Sequence, residues 1–287
     1  MRLAQLSAGS IMLVDVAKGL AQGKVLDLAD ARSILKINYD IQGSDDINEI
    51  KDSGLVVVTA GLARKPGMAR EDLLNKNAGI LTEICKKIKE LAPSAIVIIV
   101  TNPLDLMTRL ALKVTGFKPS KVFGMGLTLD ASRFANLISK ELNLPVTDIE
   151  ACVIASHGEG MMPLARFTNI KGVNLDKFID AKKVDSLIAR TFERGKEIVS
   201  LLGSGSAYFA PSAAIAEIVR VIVKDEKKIL GVSAYLNGEY GIKDVCLGVP
   251  CCLGKDGIEK IIELDLDKQE KAALQACAVK LKGSSLY

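Results

Sequence analysis

Aromatic side chains are scarce in this sequence: tryptophan is absent, and Phe, Tyr and Trp together make up 4% of the residues. Stacking platforms for sugars or single-stranded nucleic acid need such rings, so this class of binding surface is disfavoured. Basic tracts are lacking as well. The formal net charge is +4, but Lys and Arg are interleaved with Asp and Glu along the chain, which argues against nucleic acid as a partner.

Metal-binding and disulfide patterns are also missing. The chain has six cysteines without a C-x-x-C pair and a single histidine, so neither a metal site nor a disulfide framework is expected. No apolar run approaches the roughly 20 residues that cross a bilayer. Residues 1–6 lack the apolar segment and the cleavage site of a signal peptide. We therefore predict reduced thiols, a cytoplasmic location and no membrane partner.

The length of 287 residues is near the upper limit for one hydrophobic core, which favours two domains that share a cleft. Apolar runs at 55–61 and 95–100 are hydrophobic on both faces, as in strands covered by helices on both sides. Between them, residues 70–91 have the apolar spacing of a helix. This alternation predicts an α/β, doubly wound domain of the Rossmann type over residues 1–126.

The pattern changes after this first domain, and residues 127–287 are predicted to form a mixed α+β domain that binds and converts the substrate. Glycine-containing turns separate its apolar segments, as in antiparallel strands. Strands are predicted at 151–155, 164–170, 229–236, 245–253 and 258–266. The sequence shows no internal repeat.

The single histidine, His157, follows one of these predicted strands in a loop between Ser156 and Gly158. A lone histidine is more often a packed or surface residue than a catalytic one. Loops at strand ends, however, expose side chains to clefts, and imidazole can donate or accept a proton near neutral pH. His157 is therefore a candidate for proton transfer.

Polar residues follow two predicted strands at the carboxyl edge of the sheet, where open α/β sheets bind ligands. Asn102 comes after the strand at 95–100, although an ordinary turn before Pro103 explains it equally well. Arg64 and Arg70 flank a Pro-Gly pair after the preceding strand. The simple interpretation is a solvated basic loop, yet two guanidinium groups at a ligand edge suit the recognition of a carboxylate.

Two carboxylates allow more than one interpretation. Asp15 ends a short apolar segment and could accept hydrogen bonds from a ribose, but this signal is weak by itself. Asp130 lies near the start of a predicted helix at 129–142, where it could orient an imidazole or cap the helix. From its position alone, capping is the better interpretation.

Taken together and in this order, several motifs resemble those of the malate/lactate dehydrogenase family over nearly the whole chain. They are Leu13-Val14-Asp15-Val16, Gln22-Gly23-Lys24, Thr59-Ala60-Gly61, Arg64-Lys65-Pro66-Gly67-Met68 with Arg70, Thr101-Asn102-Pro103-Leu104-Asp105, Leu129-Asp130 with Arg133, His157-Gly158, Gly205-Ser206-Ala207-Tyr208 and Gly238-Glu239-Tyr240-Gly241. The resemblance implies NAD as the cofactor, reversible oxidation of (S)-malate to oxaloacetate in the tricarboxylic acid cycle, and a homodimer or homotetramer.

The same resemblance implies roles for individual residues. His157 would be the proton donor and acceptor, and Asp130 would orient it. Three arginines would bind the substrate, with Arg133 at the C1 carboxylate, Arg70 at the carbonyl and Arg64 at the second carboxylate. Asn102 would contact both substrate and cofactor. The residues assigned to the cofactor are Asp15, Asn77, Val100 and Asn102.

The chain also departs from the family. Members have a strand and a G-x-G-x-x-G turn before the region that matches residues 1–5, and this sequence contains neither. We therefore expect an N-terminally incomplete first domain with two strands that lack a neighbour. The G-x-G at 203–205 falls between two predicted helices and is expected to be a turn rather than a phosphate site. A cofactor-deficient homologue acting as an oligomerisation or binding module is one alternative function, and a lactate dehydrogenase is another.

Overall fold

A computed structural model describes residues 1–6, 8–62, 70–158, 160–203 and 205–284, and of Arg70 only the backbone. The strands in these ranges are β1 (Ile11–Val14), β2 (Ile41–Ser44), β3 (Leu55–Val58), β4 (Ile96–Ile99), β5 (Val122–Gly124), β6 (Ile149–Glu150), β7 (Val153–Ala155), β8 (Met161–Pro163), β9 (Asn169–Ile170), β10 (Val173–Asn174), β11 (Lys228–Asn237), β12 (Lys243–Gly254) and β13 (Gly257–Ile261). The helices are α1 (Arg2–Gln5), α2 (Leu20–Leu35), α3 (Arg70–Leu91), α4 (Leu104–Thr115), α5 (Gly126–Leu142), α6 (Ala181–Leu202), α7 (Phe209–Val223) and α8 (Lys268–Lys282).

One mixed sheet runs through both halves of the chain. Its order is β3, β4, β5, β11, β12, β7 and β8, and β13 pairs with β12 beside this path. Strands β3, β4 and β5 are parallel, and all four residues of β4 are buried, as a strand covered on both faces requires. The pair Gly124 and Ser233 joins β5 to β11 in the antiparallel sense. The predicted α/β class, with a parallel first half and a mixed second half, is confirmed.

Strands β1 and β2 form a separate parallel pair, in register Ile11 with Ile41. Val14, at the end of β1, packs against the core cluster that also contains Val58, at the end of β3. Within the described ranges, β1 and β3 each have a single neighbouring strand. Both strand ends lie beside one core.

Helices α3 and α4 cover the parallel strands with apolar faces. Helix α3 has the limits that its apolar spacing predicts. Its Leu81 and Ile88, with Met107 of α4, are fully buried in the core shared with β3, β4 and β5. Helix α4 ends at Gly116, whose φ of +66° is the left-handed conformation that glycine adopts at helix ends. These helices set the position of the loops at the carboxyl edge of the sheet.

The predicted strand at 164–170 is wrong. The chain forms a 3₁₀ turn at Ala165–Phe167, followed by the two residues of β9. The buried Thr168 hydroxyl donates to the carbonyl oxygen of Leu164 (2.9 Å) and accepts from the amide of Cys152 (3.1 Å). Bonds to a side chain therefore replace the ladder that a longer strand would make.

Two kinds of feature are absent from the described ranges. No helix in them is long and apolar enough to cross a membrane. They also contain no group of three or more His, Cys, Asp or Glu side chains that could hold a metal ion.

Candidate active site

The hairpin between β7 and β8 carries the single histidine. Ala155, at the end of β7, pairs with Met161 at the start of β8, and His157 lies in the connection. Ala155 has a φ of +72°, a left-handed conformation that is strained for a residue with a Cβ. Strained backbone of this kind concentrates at ligand-binding and catalytic sites, so the conformation agrees with a functional loop. Glu159, in the same connection, is outside the described residues.

A buried carboxylate on helix α5 holds the imidazole. Nδ1 of His157 lies 2.6 Å from Oδ2 of Asp130, which is fully buried, whereas the imidazole is 14% exposed. Because Nδ1 donates to this carboxylate, Nε2 is the nitrogen that can give or take a proton. The pair can therefore perform acid–base chemistry.

Helix α5 also shapes the space in which the imidazole packs. Gly126 begins the helix, and a Cβ built on it would lie 2.7 Å from Cγ of His157. A side chain at this position would displace the ring. Asp130 is the fifth residue of the same helix, beyond its first turn, and Met125 is the N-cap. The interpretation of Asp130 as a helix cap is therefore wrong, because the helix begins earlier than the sequence predicts.

Arg133 lies one turn after Asp130 on the same helix. Its Nη1 donates to Oδ1 of Asp130 over 3.2 Å, so one carboxylate joins the histidine and the arginine. The Arg133 side chain is 13% exposed, and its buried Nε has no hydrogen-bond partner among the described residues. Gly195 of α6 packs against the guanidinium without a side chain of its own. A guanidinium with an unused donor is suited to bind a carboxylate of a ligand.

Three charged side chains act on the imidazole. Burial by itself lowers the pKa of His157, but the carboxylates of Asp130 and Asp105 raise it, and the charge of Arg133 opposes them. The net effect is a pKa of His157 above its ordinary value. The site therefore favours the cationic imidazole, which is the form that donates a proton.

Hydrogen bonds of two side chains connect the loops after β3 and β4. The side-chain amide of Asn77 donates to the carbonyl oxygen of Asn102 (2.8 Å), and its Oδ1 accepts from the amide of Leu62 (2.8 Å). The Thr101 hydroxyl donates to the carbonyl oxygen of Ala60 (2.6 Å). These bonds fix both loops and leave the Asn102 side chain exposed at the sheet edge. Cofactor contacts of Asn77 and Asn102 stay predictions, and the bonds of Asn77 assign it to loop positioning.

Two further predicted cofactor residues follow strands. Asp15 comes directly after β1, where its amide bonds to Ser44 (3.1 Å) and one carboxylate oxygen accepts from the amide of Ala17 (3.0 Å). Val100 comes directly after β4, and its amide extends the ladder to Val58 (2.9 Å). Both residues therefore lie at the carboxyl ends of parallel strands, and their contacts to a cofactor stay predictions.

Two predicted substrate residues cannot be placed by their side chains. Arg64 lies outside the described residues, and Arg70 is described only as the first backbone residue of α3. Their roles stay predictions from the sequence.

Asp105 was not predicted as a site residue, yet it bonds directly to the histidine loop. Its carboxylate is buried and accepts from the Ser156 hydroxyl (2.7 Å), the amide of His157 (3.0 Å) and the Ser233 hydroxyl (2.6 Å). The sequence signal was its position in the Thr101-Asn102-Pro103-Leu104-Asp105 motif, as an acidic residue in an otherwise apolar helix start.

Comparison with known proteins identifies the family. Residues 1–124 match the family model described as lactate/malate dehydrogenase, NAD binding domain. Residues 127–285 match the model of the lactate/malate dehydrogenase alpha/beta C-terminal domain. The chain belongs to the lactate/malate dehydrogenase family. The predicted family and NAD as the cofactor are thereby confirmed.

Individual members of the family agree with this assignment. A malate dehydrogenase from Methanosarcina mazei is 47% identical over 269 residues, which cover 94% of this chain and 88% of the relative. The solved structure of the malate dehydrogenase from Picrophilus torridus, in its apo form, has a TM-score of 0.94 and 37% identity, covering 98% of this chain and 90% of that one.

A lactate dehydrogenase is similar as well. The structure of the enzyme from Eimeria maxima with NADH and oxamate has a TM-score of 0.92 and 34% identity, covering 98% of this chain and 88% of that one. Malate and lactate dehydrogenases therefore share this fold.

Several residues of the dehydrogenase fit a dinucleotide at the carboxyl edge of the parallel strands. Asp15 offers a carboxylate at a strand end, which suits ribose hydroxyls. Gly61, after β3, packs closely against Thr101, since a Cβ on it would lie 2.7 Å from Cγ2 of Thr101, and the loops after β3 and β4 thereby stay together at this edge. Gly203 ends α6 and α7 begins at Phe209, so Gly203 and Gly205 lie between two helices, as predicted.

Proposed function

We propose that this dehydrogenase interconverts (S)-malate and oxaloacetate with NAD. The observation that carries the proposal is the pair of contacts through which the buried Asp130 joins His157 to Arg133. A 2-hydroxy acid presents the two matching groups: a hydroxyl that loses its proton on oxidation and a carboxylate that binds a guanidinium. The proposal thus assigns proton transfer and substrate binding to one cluster.

When bound, NAD accepts the hydride of the hydroxy acid, and NADH returns it in the reverse direction. The protein itself moves the proton. In oxidation, neutral His157 takes the proton of the C2 hydroxyl at Nε2. In reduction, the imidazolium donates it to the carbonyl oxygen, on which negative charge grows. The sequence contains no second histidine to take over this step.

Asp130 supports both protonation states of the imidazole. Its bond to Nδ1 fixes the tautomer in which Nε2 is unprotonated and ready to act as a base. Its negative charge stabilises the imidazolium that follows, and full burial keeps that charge from being screened by water. Asp130 is therefore proposed to orient His157 and to stabilise its cation.

For the substrate, we propose that Arg133 binds the C1 carboxylate and that Asn102 lies beside the reacting carbon. Arg70 is proposed to polarise the carbonyl and Arg64 to bind the second carboxylate of the four-carbon acid. Guanidinium groups suit these tasks because they donate two parallel hydrogen bonds to a carboxylate.

For the cofactor, we propose contacts from Asp15, Asn77, Val100 and Asn102. The Asp15 carboxylate accepts from ribose hydroxyls and repels a 2′-phosphate, which favours NAD over NADP. We further propose that the cofactor domain comprises residues 1–126 and the substrate domain residues 127–287, which the two family matches support. A cytoplasmic homodimer or homotetramer acting in the tricarboxylic acid cycle completes the proposal.

The proposed function is tested by NADH binding and by initial rates with two substrates. NADH fluorescence should saturate at micromolar cofactor, and kcat/KM should be higher for oxaloacetate than for pyruvate. Absence of binding up to millimolar NADH would contradict the enzyme and support a binding module. A preference for pyruvate would instead identify a lactate dehydrogenase, the alternative that the similarity to the Eimeria maxima structure supports.

Replacing Arg64 with Gln should change substrate preference. The ratio of kcat/KM for oxaloacetate to that for pyruvate should fall roughly 10²- to 10⁴-fold, because a pair of charge-assisted hydrogen bonds to the second carboxylate, which together contribute about 3–6 kcal/mol, is lost. Lys65→Gln is the matched control, since it removes the neighbouring positive charge. If Lys65→Gln lowers the ratio and Arg64→Gln does not, the second carboxylate is bound by the lysine.

The pH dependence of turnover should report the raised pKa of His157. Malate oxidation needs the neutral imidazole, so its kcat/KM should rise with pH through a midpoint above 6.5, the ordinary histidine value. Oxaloacetate reduction needs the imidazolium and should fall with pH through the same group. Asp130→Asn should move the midpoint to lower pH, because it removes the charge that raises the pKa. A parent midpoint at or below 6.5 would contradict this electrostatic account.

A further inference from the structure

We propose that Asp105 is a positioning residue for His157: it holds the backbone of the catalytic loop and places a second negative charge beside the imidazole. The inference rests on the proposed role of His157 in proton transfer. It concerns a residue on another helix, α4, which acts on the reaction through His157.

The hydrogen bonds of Asp105 connect three elements that are distant in sequence. Oδ2 accepts from two consecutive residues of the histidine loop, the Ser156 hydroxyl and the His157 amide. Oδ1 accepts from the Ser233 hydroxyl on β11. Because Oδ2 binds both the His157 amide and the Ser156 hydroxyl, it fixes the backbone at the residue that carries the imidazole. The loop is thereby attached to α4 on one side and to the junction of β5 and β11 on the other.

Hydrogen bonding alone does not explain why this residue carries a charge. Asp105 is 2% exposed, and burying a carboxylate is unfavourable unless its charge is compensated. Its partners are two hydroxyls and one amide, and the neutral amide side chain of Asn could bond to all three. Burial raises the pKa of Asp105, and its three hydrogen bonds and the charge of His157 oppose that rise. The ionised carboxylate and the imidazolium therefore stabilise each other, and in this form Asp105 raises the pKa of His157.

Few charged or titratable groups surround Asp105 and His157 within the described ranges. Asp130 and Arg133 act on the imidazole from α5, and Asp105 acts on it from α4. The thiols of Cys246 on β12 and Cys277 on α8 also feel the charge of Asp105, and burial raises the pKa of both, so they stay neutral. Asp105 is thus the carboxylate other than Asp130 that acts on His157 within the described part of the chain.

The first test measures the His157 pKa directly. Since the chain has one histidine, an NMR titration of the untagged protein reports the signals of a single imidazole. Asp105→Asn keeps the shape and the three hydrogen bonds, because the Ser233 hydroxyl can accept from the new amide. We expect this variant to lower the pKa of His157 by about one pH unit.

The control is Asp176→Asn, which makes the same change of net charge at a side chain that is 69% exposed. It should leave the pKa of His157 at the parent value. If Asp105→Asn also leaves the pKa unchanged, the charge of Asp105 does not act on the imidazole and the inference is overturned.

The second test separates charge from attachment of the loop. Asp105→Ala removes both, so kcat should fall roughly 10- to 100-fold and the His157 amide should exchange faster with solvent, while NADH affinity is kept. Asp105→Asn should restore slow amide exchange and most of kcat, with its pH midpoint moved to lower pH. Ser156→Ala, which removes one bond to the same oxygen, provides a milder variant if the Ala protein is unstable. Equal exchange in parent and both the Ala and Ser156 variants would contradict the attachment.

The NMR and exchange measurements need no turnover. A protein that does not oxidise malate but whose His157 pKa responds to Asp105→Asn would contradict the proposed function and keep the positioning role. A protein that oxidises malate but whose His157 pKa does not respond to Asp105→Asn would support the proposed function and contradict the positioning role.

Discussion

Replacing His157 with Asn is expected to lower kcat for malate oxidation by roughly 10²- to 10⁴-fold, the usual contribution of a positioned acid–base group. The Asn amide can still donate to Asp130, but it cannot take up the proton of the substrate hydroxyl. NADH affinity should be nearly unchanged, because His157 is placed on the substrate side of the proposed site. Stopped-flow rates and NADH titration measure the two quantities separately.

His157→Gln is the companion variant, since its longer side chain places an amide nearer to the position of Nε2. It should be as slow as the Asn variant, because neither amide titrates near neutral pH. Turnover near the parent value in either variant, with the fold intact, would return His157 to the role of a packed residue.

Replacing Arg133 with Leu is expected to raise KM for oxaloacetate by roughly 10²- to 10⁴-fold, because two charge-assisted hydrogen bonds to a carboxylate contribute about 3–6 kcal/mol together. Arg133→Lys should recover part of this loss, since it keeps the charge but not the paired donors. Removing the cation also leaves Asp130 with the imidazole alone, so the pKa of His157 should rise in the Leu variant.

A matched control lies on α6. Arg194→Leu changes a guanidinium of similar exposure, 19% compared with 13%, whose partner is Glu197 on the same helix. It should leave KM for oxaloacetate at the parent value. An equal rise in KM for both variants would show that Arg133 acts through stability rather than by binding the substrate carboxylate.

Local patterns predicted most of the first domain. The spacing of apolar residues along α3 was sufficient to set both of its ends, because a helix of 22 residues repeats its signal over six turns. The strand β2 was not predicted: its sequence, Ile-Gln-Gly-Ser, has little strand propensity, and pairing with β1 stabilises it. The strand prediction for 164–170 was wrong for a related reason. The alternation of apolar residues does not indicate the hydrogen bonds that buried Thr168 makes.

The residues of the candidate site also differ in how far local sequence patterns could predict them. His157 was found because it is the single histidine and follows a strand, and Asp130 was considered because an acidic residue near a helix start has few explanations. Their contact spans 27 residues, and only the fold shows that it exists. Asp105 was missed because its partners are 51, 52 and 128 residues away. Buried polar networks of this kind join elements that no local window contains.

Among the residues that the structure describes, β1 pairs with β2 alone, and this has a thermodynamic consequence. A two-stranded pair is marginally stable by itself, and the residues of β1 are only partly buried, whereas those of β4 are fully covered. The amides of β1 can therefore exchange with solvent through local opening of this pair, without unfolding of the larger sheet. If Asp15 holds the cofactor, as we propose, the cofactor binds only the closed form. Its apparent affinity then falls with the fraction of molecules in which β1 and β2 are open, and bound cofactor lowers that fraction in return.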